Sequence, residues 1–280
     1  MSSTVRLRHL SEELVRLRRT AGLTVEEVTT RLNKSMGWLT YMEGNKWVKA
    51  NIKNITALLD LYGIHGQQRE EILELAQAAR QKDWWLAYRD LFPAKLPGFE
   101  AAATTIRTFE ALLVPGLLQT KDYAAAVARG RRVFTPPVIA RQVEARLTRQ
   151  KILDRENPPE LWALIDEAAL LRSVGGPGVM RQQLEHLMNM AARPSITIQV
   201  VPLRAGAHAA MTGGFMILEF GNDQDAPLVY MEGVTRSQFM EKPEDVNSYT
   251  LTFEHVATSA LPPDESAARL SELQNHHPPR

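Results

Sequence analysis

An all-α domain followed by an α+β domain with a small mixed or antiparallel sheet is the fold class the sequence predicts. Three observations carry it. The chain has 280 residues, about twice a typical domain length, so two domains are the starting expectation. All 16 prolines fall after Lys82, while the residues before it repeat apolar positions at helical spacing. Beyond Gly98, alternating strand-like runs interleave with helical ones. The expected division is a helical domain over 1–82, a linker or interdomain helix over 83–98 and an α+β domain over 99–275.

The first helix is expected from Ser11 to about Ala21, because Leu10, Leu14, Leu17 and Ala21 share one face and Gly22 supplies a stop. Thr24 and Glu27 have capping-box spacing, which starts a second helix through Leu32 with Val25, Val28 and Leu32 inward. A three-residue turn, Asn33, Lys34 and Ser35, leads into a third helix. Ser35 is its N-cap, Leu39 and Met42 point inward, and Gly44 and Asn45 end it. A fourth helix is expected over 51–62, with Ile55, Leu58, Leu59 and Tyr62 on one face, and a fifth from Gln67 to Gln81. Trp84, Trp85 and Tyr88, with the segment Phe92 to Gly98, read as a join whose aromatics pack the two domains together. In the second domain Ser195–Val201, Phe215–Phe220 and Leu228–Glu232 alternate as strands. Val138–Arg155, Val179–Ala192 and Pro243–Ala260 read as helices, the last with proline in its first turn. The tail after Leu273 reads as frayed, with no metal role for His276 and His277.

Composition excludes several classes. With 44% apolar and 23% charged residues the chain can bury a core, so wholesale disorder is out. The absence of cysteine removes disulfides, thiolate metal sites and cysteine nucleophiles. No apolar run approaches the ~20 residues needed to span a bilayer, and Met1 to Arg6 lack the apolar stretch of a signal peptide. A soluble, cytoplasmic protein with no membrane partner is the expectation. Net charge is only +1, but the sum hides a division. Residues 1–82 hold 13 Lys+Arg against 9 Asp+Glu, a charge of +4, and the remainder carries −3.

Helix, Gly22, capped helix, three-residue turn, helix and Gly44 form the spacing of a helix-turn-helix reader. In such a reader the second helix crosses the phosphate backbone and the third enters the major groove. The candidate DNA-binding residues are Thr24, Arg31, Lys34, Ser35, Met36, Trp38, Thr40, Tyr41, Lys46 and Lys49, with Arg16, Arg18, Arg19 and Lys53 adding charge nearby. The same spacing also suits a helical interaction module whose charges are merely solvated. For Trp38 and Tyr41 the two readings are contact with double-stranded DNA and packing against the domain's own loops.

These residues resemble a known family. Gly22-Leu-Thr24 with Glu27, then Ser35, Leu39, Met42, Glu43, Asn45 and Lys46, resemble the XRE (Cro/repressor-like) helix-turn-helix pattern, and Ala57-Leu-Leu-Asp-Leu-Tyr62-Gly63 matches the form common in actinobacterial members. Val114-Pro-Gly-Leu-Leu-Gln-Thr120-Lys-Asp-Tyr123, Asp166-Glu-Ala-Ala-Leu170, Gln199-Val-Val-Pro202, Ala205-Gly-Ala-His208, Gly214-Phe215 and Val229-Tyr-Met-Glu232 resemble, in order, the C-terminal domain of WhiJ-type regulators. The resemblance covers residues 6–275. It implies a DNA-binding transcriptional regulator of an antitoxin-like class, encoded beside a very small partner protein. Two positions depart from it: Val25 and Met36 stand where relatives often carry glutamine. Gly37 follows, and the third helix lacks a bidentate Arg, Asn or Gln, so shape and phosphate contacts are expected to carry much of the binding.

The second domain shows no nucleophile elbow, phosphate loop or HExxH pattern, so no catalytic residue, metal or cofactor is expected and the chain reads as a binding protein, not an enzyme. Its candidate partner- or ligand-binding residues are His208, Thr212, Glu232 and Arg236. The loop holding His208 is Gly-rich and reads equally as a binding loop or a structural turn. A small partner protein comes first as its ligand, a small-molecule effector second. The basic run from Arg129 to Arg132, with Arg141, Arg146, Arg149, Lys151 and Arg155, reads as a solvated helix face rather than further DNA contact. A homodimer is expected, because helix-turn-helix readers pair two half-sites about one helical turn apart.

Overall fold

The structure is a computed structural model and describes residues 2–80, 84–88, 90–91, 95–131, 135–221, 225–233 and 236–277. Gln81, Lys82, the stretch from Phe92 to Ala94 and Arg132, all named above, lie outside the described residues. The chain forms two compact units, Met1–Arg89 with Ala94–Ala102, and Asp90–Pro93 with Ala103–Arg280. Among the described residues no helix is long and apolar enough to cross a membrane.

The first unit holds α1 (Ser3–Thr20), α2 (Val25–Arg31), α3 (Met36–Glu43), α4 (Ile52–Leu61) and α5 (Gly66–Ala78), then a 3-10 turn (Trp84–Tyr88) and α6 (Leu96–Ala102). α1 begins eight residues before the expected Ser11. Its first turns carry Arg6, Arg8 and His9, which hide the apolar face of Val5 and Leu7, both buried. Ser2 caps it by accepting from the Val5 amide. Leu10, Leu14 and Leu17 continue that face into a core with Val28, Leu39, Ile55, Leu58 and Ile72. Gly22 takes φ +69° after the helix, a left-handed turn that L side chains rarely adopt.

The aromatics expected at the join fall within the chain segment of the first unit. Trp85 is buried, and Trp84 packs edge-on against both Trp85 and Tyr88. Nearby, α6 crosses α1 so closely that a Cβ on Gly98 would lie 1.9 Å from Thr4 Oγ1, 2.5 Å from Thr4 Cβ and 3.0 Å from the Trp85 ring. Ser2 Oγ donates to Gly98 O at 2.6 Å, and Leu96 and Phe99 are fully buried.

The second unit is built on β1 (Thr105–Glu110), β2 (Glu160–Asp166), β3 (Ile196–Val201), β4 (Phe215–Glu219), β5 (Leu228–Glu232) and β6 (Ser237–Met240). The sheet is mixed and runs β3-β2-β1-β4-β5-β6: β1, β2 and β3 are parallel, the rest antiparallel. Its helices are α7 (Lys121–Gly130), α8 (Pro136–Gln150), α9 (Glu167–Leu171), α10 (Pro177–Ala191), α11 (Pro243–Ser259) and α12 (Pro263–Asn275). Proline in the first turn of α8, α10, α11 and α12 suits the amide that a helix start leaves unbonded.

α11 covers one face of the sheet, where Phe109, Leu164, Phe215, Ile217, Val229, Phe253 and Val256 form a core. α10 and α12 pack on each other and on β3. Of the tail read as frayed, Gln274 and Asn275 complete α12 and His277 is buried with Nε2 3.4 Å from Leu170 O, while 278–280 lie outside the described residues. Arg149, read as part of a solvated face, is only 7% exposed. The all-α unit followed by an α+β unit is the expected fold class.

Candidate nucleic-acid interface

Local sequence shapes the helix-turn-helix. Thr24 caps α2 as a full capping box: its Oγ1 accepts from the Glu27 amide at 3.2 Å, and the Thr24 amide donates to Glu27 Oε2 at 2.8 Å. The turn closes with Asn33 at φ +50° and Lys34 N donating to Thr29 O at 2.8 Å. Ser35 then caps α3, its Oγ accepting from Trp38 N at 3.2 Å. Asn45, also at φ +50°, ends α3, with Lys46 N donating to Tyr41 O at 3.0 Å.

Two links fix α3 against α1. Ser11 Oγ, buried, donates to Met42 O at 2.7 Å and accepts from Trp47 Nε1 at 2.8 Å. Arg18 and Glu43 form a two-bond ion pair, Nε to Oε1 at 2.7 Å and Nη2 to Oε2 at 2.9 Å, with side chains 12% and 9% exposed. Arg18 also donates to Leu23 O at 2.9 Å. Arg18 is therefore a brace inside the unit, and Glu43, at the end of α3, is neutralised by it. Arg16 likewise pairs, at the surface, with Glu13.

What remains outward is the expected reading face. Met36 is 56% and Tyr41 46% exposed, and Gly37 and Thr40 lie beside them. The Thr40 hydroxyl donates back to Met36 O at 3.0 Å, which leaves its oxygen as an acceptor. Trp38 divides between the two readings: it is half-buried against the core, and Lys34 Nζ lies 5.9 Å from its ring centroid. Arg31, Lys34, Lys46 and Lys49 are exposed, and none forms an ion pair with a described residue. Thr24 sits differently. Its hydroxyl is committed to the cap, and Glu26 and Glu27 occupy the first turn of α2. The bonds from Thr24 hold the Glu27 carboxyl below its ordinary range. Two carboxylates there repel phosphate, so the start of α2 is a poor phosphate contact.

In the second unit, His208 is packed inward. Its side chain is 4% exposed, its ring stands edge-on to Phe109 at 5.3 Å, Nδ1 accepts from Ala210 N at 3.3 Å, and Nε2 lies 3.5 Å from Asp166 Oδ2. Thr212 and Arg236 are exposed, and Glu232 faces Arg131 at 3.4 Å.

A cluster that sequence reasoning missed lies next to Glu232. Strand register sets Glu110 and Glu232 on either side of Gly214, on the sheet face opposite α11. A Cβ on Gly214 would lie 2.9 Å from Glu110 Oε2, so the carboxylate leans over the glycine. No hydrogen bond or ion pair joins the Glu110 carboxylate to a described residue. Arg146 Nη1 donates to Gln119 Oε1 at 2.5 Å, and Tyr123 Oη accepts from Val114 N at 3.1 Å. The guanidiniums of Arg146 and Arg149 converge: a Cβ on Gly116 would lie 3.5 Å from one and 3.4 Å from the other. Burial, then the charge of Glu232, pushes the Glu110 carboxyl up to about 7. Burial, then Arg149, pulls Arg146 down to about 10.

The sign for Glu110 is fixed by its raised folded pKa. Its contribution to stability is complete below its ordinary value of 4.5 and is lost as pH rises through about 7. Glu110→Gln is therefore expected to stabilise the second unit at pH 8 by about 2 kcal/mol, less than the full shift because the group is partly solvated. Urea unfolding at pH 5 and pH 8 checks it: equal gains at both values would remove the titration of Glu110 as the cause.

The fold of the first unit and its basic outer face define a helix-turn-helix protein of the DNA-binding regulator class. A helix-turn-helix domain model matches residues 9–72. By its larger part the chain belongs to the family described as Domain of unknown function (DUF5753), whose model matches residues 94–272. No curated protein and no solved structure matches the chain.

Proposed function

We propose that the chain is a sequence-specific transcriptional regulator that binds double-stranded DNA as a homodimer in the cytoplasm, and that its second unit binds a small partner protein or a small-molecule effector. The observation that carries the DNA reading is the set of exposed cations Arg31, Lys34, Lys46 and Lys49, none ion-paired with a described residue, around the exposed Met36, Thr40 and Tyr41. A purely solvated module has no need of a braced helix presenting such a face. Met36 and Tyr41 can touch thymine methyls and Tyr41 can donate one hydrogen bond, so phosphate contacts and DNA shape supply the rest.

For the second unit, the supporting observation is apolar exposure at one end of the sheet. Leu112 follows β1, Leu203 follows β3, and Met211 precedes β4 beside Thr212; all three are more than half exposed. Such surface suits a docking partner. The WhiJ-type resemblance favours a small protein encoded nearby over an effector. It also supports a second, antitoxin-like reading, in which neutralising that protein is the main role and DNA binding serves autoregulation. His208, in the loop that leads to Met211, is packed inward, which supports binding over catalysis for that loop.

Genome-wide DNA footprinting with and without the neighbouring small gene product tests the proposal. Discrete protected sites that change when the partner is added are expected. Protection that merely tracks protein concentration everywhere would count against sequence-specific regulation.

A further inference from the structure

We propose that the second unit holds a small oxyanion, a carboxylate or a phosphate group of a metabolite-sized molecule, between Arg146 of α8 and the gap over Gly214. The inference rests on the reading of this unit as a binding domain and names the chemistry of its ligand.

Glu110, Gly214 and Glu232 stand in one row across β1, the entry to β4, and β5. The middle position has no side chain, so the row has a gap flanked by carboxylates. Arg146 and Arg149 approach one point near Gly116, and Gln119, which Arg146 bonds, reaches back to Val114 O, four residues beyond Glu110. Arg146 makes a single bond, to Gln119, and the Glu110 carboxylate makes none to a described residue. Both side chains are half-buried, so each keeps hydrogen-bonding capacity that a ligand can use. Here they influence each other electrostatically without an ion pair. Glu232 is already faced by Arg131. The carboxyl end of β1 lies where the strand order reverses, with β2 and β3 on one side and β4 to β6 on the other, and open sheets commonly receive ligands at such a point. An oxyanion on the Arg146 fork completes its hydrogen bonds, and Glu110 accepts from a ligand hydroxyl or, when protonated, donates to the anion.

The groups facing Glu110 are Glu232 of β5, Arg146 and Arg149 of α8, and Tyr123 of α7. Protonating Glu110 removes a negative charge beside the anion, so binding strengthens as pH falls through neutrality.

Calorimetric titration of the full chain with inorganic phosphate and, separately, propionate tests this and tells the two oxyanions apart. One saturable site for at least one probe is expected. Arg146→Gln and Arg146→Lys should both weaken it by about tenfold or more, since Lys keeps the charge but not the fork. Glu110→Gln should strengthen it at pH 8 and not at pH 5.5. Should Arg146→Gln fail to fold, the lysine variant and Glu110→Gln still decide. No saturable heat with either probe overturns the proposal, as does binding that survives the Arg146 variants but is lost in Lys34→Ala. Anisotropy with labelled duplex DNA, run in parallel, separates failure here from failure of the DNA reading.

Discussion

Glu43→Ala is expected to destabilise the first unit by about 3 kcal/mol, because it leaves the largely buried Arg18 with only the Leu23 carbonyl. The two-bond pair joins the end of α1 to the end of α3, so its loss frees the recognition helix as well as stranding a charge. Replacing both partners, Arg18→Met with Glu43→Leu, should recover most of the stability, since a buried pair is often matched by apolar residues of similar volume. Urea unfolding of wild type, both single variants and the double variant measures the coupling. An unchanged midpoint for Glu43→Ala would mean the pair is idle, and α3 is then held by Ser11 and the core alone.

Replacing Lys34, Lys46 and Lys49 together by alanine should lower affinity for duplex DNA by about two orders of magnitude at low salt. Each lysine that neutralises a phosphate contributes about 0.9 to the slope of log affinity against log salt, so the slope should flatten by about 2.7. The side chains are exposed and form no ion pair with a described residue, so the fold should be unaffected. A generic duplex suffices, because phosphate contacts are blind to sequence. If affinity and slope both hold, the basic face is ornamental and the interaction-module reading of this unit gains.

The reading unit was legible because its signals are local. Thr24 with Glu27, Ser35, Gly22 and Asn45 each declare a helix end within four residues, and the structure places the boundaries of α2, α3 and α4 within a residue of expectation. The start of α1 was not, since Arg6, Arg8 and His9 interrupt its apolar run, although Arg8 is buried beside Glu12. In the second unit β3, β4 and β5 were visible by alternation. β1 mixes Arg107 and Thr108 into its run, and Arg107 is at home only because Glu219 and the Phe253 ring receive it. The Glu110–Arg146 cluster was invisible for a different reason. Its members stand far apart in sequence, and only the register of β1, β4 and β5 and the seating of α8 bring them together. Arg149 misled in the same way, since helical spacing reveals a face but not whether another surface covers it.

The close passage of α6 over α1 bears on how such regulators exchange parts. The DNA-reading unit is not a continuous stretch of chain: it is completed by Leu96–Ala102, whose Leu96 and Phe99 are buried and whose Gly98 admits Thr4. A hybrid gene spliced at residue 82 would take the reading helices and leave their last covering piece behind. The segment from Trp84 to Ala102 would have to travel with α1. Recombination that preserves function is therefore expected to cut between Ala102 and β1, and the transplantable cassette is about a quarter longer than the helix-turn-helix pattern alone suggests.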